Sequence, residues 1–178
     1  YGGARDRVQR PDGVQTELDW QDPLHTLARI AQQDFCILQK QGDEHVLTGA
    51  VLCFPASWSL DDKFGRPLLA IHEPVGEYTP DIAARVQRLF DGVQPGRPLW
   101  RFNALWYRDA ALHQPRRENA RRAPEAAGQA PYLRSELQSI LRLPETRAVV
   151  FSIHTRVLRR QDVLAQWGEP LPDPAAAV

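Results

Sequence analysis

The spacing of apolar side chains predicts two amphipathic helices. The first lies within residues 20–33, where Asp22 and Pro23 provide an N-cap and a first-turn proline before a helically spaced apolar set. The second begins after Thr79, a capping residue, with Pro80 in its first turn. Its apolar stripe consists of Ile82, Val86, Leu89 and Val93. Because each stripe needs a surface to cover it, we expect both helices to pack on a common core.

Short apolar runs with partial apolar–polar alternation predict about five strands. Turn residues at 41–44 separate the first two runs, which indicates a β-hairpin. The other three suit the same antiparallel sheet. The predicted strands cover residues 35–38, 46–54, 99–107, 132–141 and 148–158. Strands with helices set to one side define an α+β fold, which we expect to form one domain over residues 1–178.

Three stretches lack this periodicity. Prolines and glycines recur between residues 55 and 78, so we predict a long irregular connection there, with one helical turn at 59–64. Residues 116–130 are rich in Arg, Ala, Glu and Pro and predict a mobile surface loop. Residues 173–178 are expected to form a tail.

Composition narrows the classes of partner. The 178 residues include 22 Lys plus Arg and 22 Asp plus Glu, so no overall charge favours nucleic acid or an anionic membrane. No apolar run reaches the roughly 18 residues of a spanning helix, and no signal peptide opens the chain, which predicts a soluble cytoplasmic protein. Cys36 and Cys53 lie in predicted strands and are interpreted as small core residues. Since the chain contains no Met, even at position 1, we expect it to be truncated at its N-terminus.

One histidine stands out as candidate chemistry, because phosphate-binding glycine loops, paired-histidine motifs and nucleophilic cysteine contexts are all missing from the sequence. His72 lies between the apolar run 68–71 and the rigid 73–75 segment. A haem needs one neutral imidazole, apolar surfaces, and cations for its propionates. His72 can supply the first, and Lys63 and Arg66 lie close in sequence to supply the last. On the residues alone, a hydrogen-bonded loop histidine is the commoner outcome.

The other histidines are weaker candidates. His154 shares a strand face with polar neighbours, which favours a surface or edge role, and it ranks second as a ligand. His25, His45 and His113 are expected to be exposed.

Strand parity suggests a second wall for a site. Arg134 and Glu136 point to one face of strand 132–141, together with Gln138. Arg101 and Asn103 share a face of strand 99–107, together with Leu105 and Tyr107. If the two strands are neighbours, these polar groups line one pocket. A solvated outer face is an equally good interpretation of the same pattern.

The ordered blocks of sequence around these residues resemble the haem-dependent oxidative N-demethylases. The resemblance covers most of residues 30–157, and several blocks in order are more specific than any single one. They are residues 33–38, 51–55, 65–68, 71–75, 95–103, 111–115, 133–138 and 141–144.

The resemblance implies a PAS-like haem protein that uses dioxygen to oxidise the methyl carbon of a small methylated amine and releases formaldehyde. The implied cofactor is haem b, and the implied electron source is a separate flavin and iron–sulfur reductase, because neither motif occurs here. It implies His72 as the iron ligand. The residues expected to meet the cofactor are Lys63, Arg66, Arg101 and Arg134, with the two strand arginines alternatively orienting Glu136.

The catalytic roles that the resemblance implies fall on three residues. Glu136 would hold the ammonium form of the amine or tune its proton. Asn103 or Tyr107 would donate a hydrogen bond to dioxygen. Ala104 stands where the family usually has Trp, which indicates a different substrate shape, and the expected second proline after Pro74 is missing. A non-enzymatic PAS-like haem sensor is the main alternative, and a relative that has lost the cofactor is a third.

Overall fold

The computed structural model describes residues 2–4, 6–72, 79–117, 120 and 130–168. Two antiparallel sheets account for its strands. A small sheet at the N-terminus contains β1 (Gly2–Ala4), β2 (Arg7–Gln9) and β3 (Gln15–Glu17). The remaining elements, in chain order, are α1 (Pro23–Ile30), β4 (Asp34–Gln41), β5 (Glu44–Val51), a 3₁₀ turn (Leu60–Asp62), α2 (Leu68–His72), α3 (Pro80–Gly92), β6 (Leu99–Tyr107), β7 (Tyr132–Arg142), β8 (Val149–Arg159) and α4 (Arg160–Trp167).

The larger sheet has the strand order β5-β4-β8-β7-β6, and all its neighbours are antiparallel. β4, the first strand of the hairpin, is therefore an inner strand and lies beside β8, the last strand of the chain. All five predicted strands are present, and the structure confirms the α+β class. The hairpin is also confirmed, since Gln41 pairs with Glu44 and Gly42 takes a positive φ of 62° in the turn.

Both predicted helices begin where their capping residues stand. The Asp22 carboxylate accepts the backbone N–H of His25 at 3.3 Å, and Pro23 occupies the first turn of α1. The Thr79 hydroxyl accepts the N–H of Ile82 at 3.4 Å at the start of α3.

The predicted irregular connection is partly wrong, because residues 68–72 form the short helix α2. Five residues are too few to display a helical period in sequence. Backbone bonds to β5 hold the approach to this helix: the Leu47 N–H donates to Arg66 O at 3.1 Å, and the Gly65 N–H donates to Leu47 O at 2.8 Å. Pairing to β5 therefore fixes a segment that the sequence pattern left irregular.

Strands β4, β5, β7 and β8 share one core on the face covered by α2 and α3. Cys36 is part of it, as predicted, and burial raises the pKa of its thiol to about 12. Cys53 lies just beyond the end of β5 and is only half-buried, so the prediction of a strand position for it is wrong. The buried members of this core are Cys36, Leu38, Leu47, Leu68, Phe90, Val93 and Val149.

The opposite face of the sheet is covered at one end by α4, which the sequence pattern did not predict. Val163 of α4 packs with Trp106 and Leu133. Towards the other end of β6, Trp100 and Phe102 remain 70% and 68% exposed.

Two sequence predictions fall largely on residues that the structure does not describe. Most of the predicted mobile loop 116–130 and all of the tail 173–178 lie outside the described residues. Among the residues that the structure describes, no helix combines the length and apolar character needed to span a bilayer.

Two of the three histidines expected to be exposed are so, but His45 is buried with 1% exposure. It stands at the start of β5 beneath α3, where its ring meets the edge of Phe90 at a centroid distance of 5.5 Å. Its backbone N–H donates to Gln87 Oε1 at 3.2 Å, and its Nδ1 lies 2.7 Å from Gln87 Nε2. Nothing in the sequence next to the hairpin turn indicated that α3 would cover His45.

Candidate functional site

β6 and β7 are neighbours, so the condition for a shared polar wall is met. In the observed register Arg101 is opposite Gln138 and Asn103 is opposite Glu136. The polar face of β7 is the buried one, because Arg134, Glu136 and Gln138 are 2%, 8% and 7% exposed. The alternative of a solvated outer face is therefore wrong for β7, whereas Arg101 on β6 is exposed.

The side chains on this wall form a continuous hydrogen-bonded ladder. Arg101 Nε donates to Gln138 Oε1 at 2.7 Å, and Gln138 Nε2 donates to Glu136 Oε2 at 3.1 Å. Arg134 Nε donates to the other carboxylate oxygen of Glu136 at 3.3 Å. Each oxygen of Glu136 thus has its own donor, which fixes the carboxylate within the sheet face.

Arg134 also ties two connecting segments to the sheet. Its Nη1 donates to Leu112 O at 3.0 Å, and its Nη2 donates to Phe54 O at 2.5 Å. Its guanidinium lies 5.8 Å from the ring centroid of the buried Tyr107. Because these partners are protein atoms, the position of Arg134 supports the orienting role towards Glu136 rather than contact with a cofactor.

Asp34 is a buried carboxyl group next to this ladder that sequence reasoning missed. It accepts the N–H groups of Cys53 and Phe54 at 2.6 and 2.9 Å and is 1% exposed. Burial raises its pKa, and the neighbouring charge of Arg134 opposes that shift. A signal existed, because Asp34 shares a strand face with Cys36 and Leu38, which are both core residues.

His72 is the last residue of α2 and is half-buried, on a helical turn rather than in the predicted loop. Its Nδ1 lies 2.8 Å from the carbonyl oxygen of Leu68. A carbonyl can only accept, so Nδ1 carries the proton and the lone pair lies on Nε2. Burial lowers the pKa of His72, and the charges of Lys63 and Arg101 lower it further. The neutral imidazole, the form that binds a metal, is thereby favoured.

Lys63 and Arg66 both hold the segment that carries α2. Lys63 is buried, and its Nζ donates to the carbonyl of Ile71 at 2.5 Å, one residue before His72. Arg66 Nη1 donates to Asp62 O at 2.9 Å. Their predicted contact with cofactor carboxylates stays a prediction.

A small cleft of about 70 Å³ opens on the same face of the sheet, below α3. Its walls are apolar apart from two residues of the ladder, Arg101 and Gln138. The lining residues are Leu89, Leu99, Trp100, Arg101, Gln138, Ile140 and Phe151. An apolar cleft with a few convergent polar groups is the usual form of a ligand site. His72 is not one of the residues that line this cleft.

A haem requires one protein imidazole, and His72 is the residue that could offer it. No group of three or more His, Cys, Asp or Glu side chains that could hold a metal ion occurs in the described ranges. A haem macrocycle supplies four ligands and needs a single protein imidazole. His154, the second-ranked candidate, lies on the opposite face of the sheet, where it pairs with Leu137.

Comparison with protein families agrees with this chemistry. The model of the family described as haem-dependent oxidative N-demethylase, alpha subunit-like, matches residues 7–171. The chain belongs to this family, and the resemblance predicted from its sequence blocks is confirmed.

Proposed function

We propose that this protein binds haem b through His72 and demethylates a small methylated amine oxidatively. The observation that carries the proposal is the contact between His72 Nδ1 and the Leu68 carbonyl, which keeps the proton on Nδ1 and makes Nε2 the nitrogen able to bind iron. Family membership supports the haem and the reaction class. The strand order, with helices α2 and α3 on one face, supports the PAS-like description of the domain.

The residues around the cleft fit the parts of the cofactor. Leu89, Ile140 and Phe151 offer apolar surface to a macrocycle, and Arg101 stands among them as a cation for a propionate. The cleft, at about 70 Å³, is smaller than the roughly 300–1,000 Å³ typical of ligand sites. A macrocycle would therefore require this cleft to open further when it binds.

Bound haem would supply the iron centre at which dioxygen oxidises a methyl carbon. The protein would hold the substrate. Glu136 offers a fixed carboxylate to an ammonium group, because Arg134 and Gln138 already set its orientation. Asn103, opposite Glu136, is half-buried, and its amide makes no hydrogen bond to the part of the chain that the structure describes. This supports Asn103 over the buried Tyr107 as the hydrogen-bond donor towards dioxygen.

The partners would be the amine, dioxygen and an electron donor. The family description names an alpha subunit, which supports a second protein as the source of electrons, and we propose a flavin and iron–sulfur reductase in that role. We place the protein in the cytoplasm, where such a reductase system would operate.

The reaction is tested with purified protein, hemin, dimethylamine and a chemical reductant in air. Formaldehyde release that requires both hemin and amine supports the enzyme. A stable haem complex without formaldehyde would instead identify a haem sensor or binding module. Glu136→Gln should lower turnover at least tenfold while the haem spectrum is retained. Unchanged turnover in that variant would remove the proposed role of Glu136.

A further inference from the structure

We propose that Gln138 is a positioning residue that directs Arg101 towards a haem propionate and keeps Arg101 from pairing with Glu136. This inference rests on the proposed haem function and assigns a role to a residue that the sequence analysis placed only on a polar face. Gln138 lies in the cleft wall, is 7% exposed, and joins the two charged residues by its own amide.

The orientation of the Gln138 amide is set by the chemistry of its two partners. Arg101 Nε can only donate, so the group it meets at 2.7 Å must be the amide oxygen. The Glu136 carboxylate accepts, so the group it meets at 3.1 Å must be the amide nitrogen. The reversed amide would place donor against donor and acceptor against acceptor. Gln138 is therefore locked in one orientation.

The hydrogen bond to Gln138 leaves the two terminal nitrogens of the Arg101 guanidinium for a ligand. The bond to Gln138 uses Nε, so the paired terminal nitrogens, Nη1 and Nη2, are not committed by it. Those nitrogens form the fork that binds a carboxylate in two parallel hydrogen bonds. Arg101 is also exposed and lines the cleft, whereas the buried Lys63 donates to the Ile71 carbonyl. Arg101 is consequently the best placed cation for an anionic group at the cleft.

A neutral spacer also separates opposite charges on the wall. Arg101 and Glu136 stand on adjacent strands in diagonal positions, close enough for a direct ion pair if nothing intervened. Such a pair would occupy both the guanidinium fork and the carboxylate. Gln138 meets each of these residues with one uncharged hydrogen bond, so the fork of Arg101 stays available to a propionate, while Glu136 keeps its pairing with Arg134.

The test compares hemin with hemin dimethyl ester, whose propionates carry no charge. Binding is followed in the full chain by quenching of tryptophan fluorescence, because Trp100 lines the cleft. Gln138→Met should weaken hemin binding about tenfold, equivalent to ~1.4 kcal/mol, and change ester binding less than about twofold. Arg101→Met should show the same selectivity. In the double variant the two losses should not add, since Gln138 acts through Arg101.

Three results would overturn the proposal: equal losses for hemin and its ester, additive losses in the double variant, or unchanged hemin binding in Gln138→Met. Should Gln138→Met not fold, Gln138→Glu replaces it, because it keeps the acceptor for Arg101 but neutralises that charge, and it too should weaken hemin more than the ester. Failure of the unmodified protein to bind either haem would instead refute the proposed function, so the two failures are distinguishable.

Discussion

His72 Nδ1 and the carbonyl oxygen of Leu68 lie 2.8 Å apart within one turn of the short helix α2. This contact fixes both the tautomer and the direction of the imidazole, as hydrogen bonds to the second ring nitrogen do for metal-binding histidines generally. The end of α2 is in turn held by Lys63 through the Ile71 carbonyl. The position of the proposed iron ligand therefore depends on a small set of polar contacts that can be changed one at a time.

The Lys63 contact should be worth measurable stability because the ammonium is buried. Lys63→Met keeps the length of the side chain and removes its charge-assisted bond to Ile71 O, and we expect a loss of about 1–3 kcal/mol in the free energy of unfolding. Lys40→Met is the matched control, since Lys40 pairs with Asp91 on the surface and should matter by less than about 1 kcal/mol. Urea denaturation measures both variants. Equal losses would show that Lys63 does not anchor α2.

Arg134 should be among the most destabilising positions on the sheet. Arg134→Met removes the charged partner of the buried Glu136 carboxylate and the donor to the carbonyls of Leu112 and Phe54, for an expected loss of about 3–5 kcal/mol. Arg156→Met on the exposed face of β8 is the control and should change stability by less than about 0.5 kcal/mol. Thermal unfolding compares the two. A loss of stability in Arg134→Met as small as that in Arg156→Met would show that the Arg134 guanidinium does not hold these segments to the sheet.

Stability should fall as the solution becomes mildly acidic, in part because of His45. Burial lowers the pKa of His45 in the folded protein, so below its unfolded value of about 6.5 the unfolded chain binds a proton that the folded chain does not. This contribution is fully present above that pH and is lost as the pH falls towards the folded pKa. Urea unfolding at pH 7.5 and 5.5 should show a smaller loss in His45→Gln than in the unmodified protein. An identical loss in both proteins would exclude His45 as a source.

The two cysteines should differ in reactivity. Cys36 is in the core, and burial raises the pKa of its thiol to about 12, so it should react with a thiol reagent only when the protein unfolds. Cys53 is half-buried and should be labelled first in the native state. Labelling kinetics followed by peptide mass analysis assign the sites. Faster native labelling at Cys36 would contradict the packing of β4.

Local signals in the sequence predicted the parts of the fold that local physics determines. The Thr79–Pro80 pair located the start of α3, and alternation along β7 placed Arg134 and Glu136 on one face. The alternation along β7 could not show that this face is buried, because burial depends on the helices that cover the sheet. In the same way His45 is buried by Phe90 of α3, a contact between residues 45 positions apart.

The residues of the candidate site were proposed from the sequence, but the contacts among them were not. The residue types at positions 72, 101 and 136 were found from motifs and parity, whereas the bridge through Gln138 depends on the pairing of β6 with β7. The short helix α2 was missed because its stability comes from β5 rather than from its own five residues.

The proposed haem site depends on His72 as the iron ligand, and rescue by imidazole tests that role directly. Hemin is added to the unmodified protein, to His72→Gly, and to His154→Gly as a control on the opposite face of the sheet. We predict that His72→Gly loses the Soret band of the histidine complex and recovers it when imidazole is added, while His154→Gly keeps the band. An unchanged Soret band in His72→Gly without imidazole would contradict the assignment.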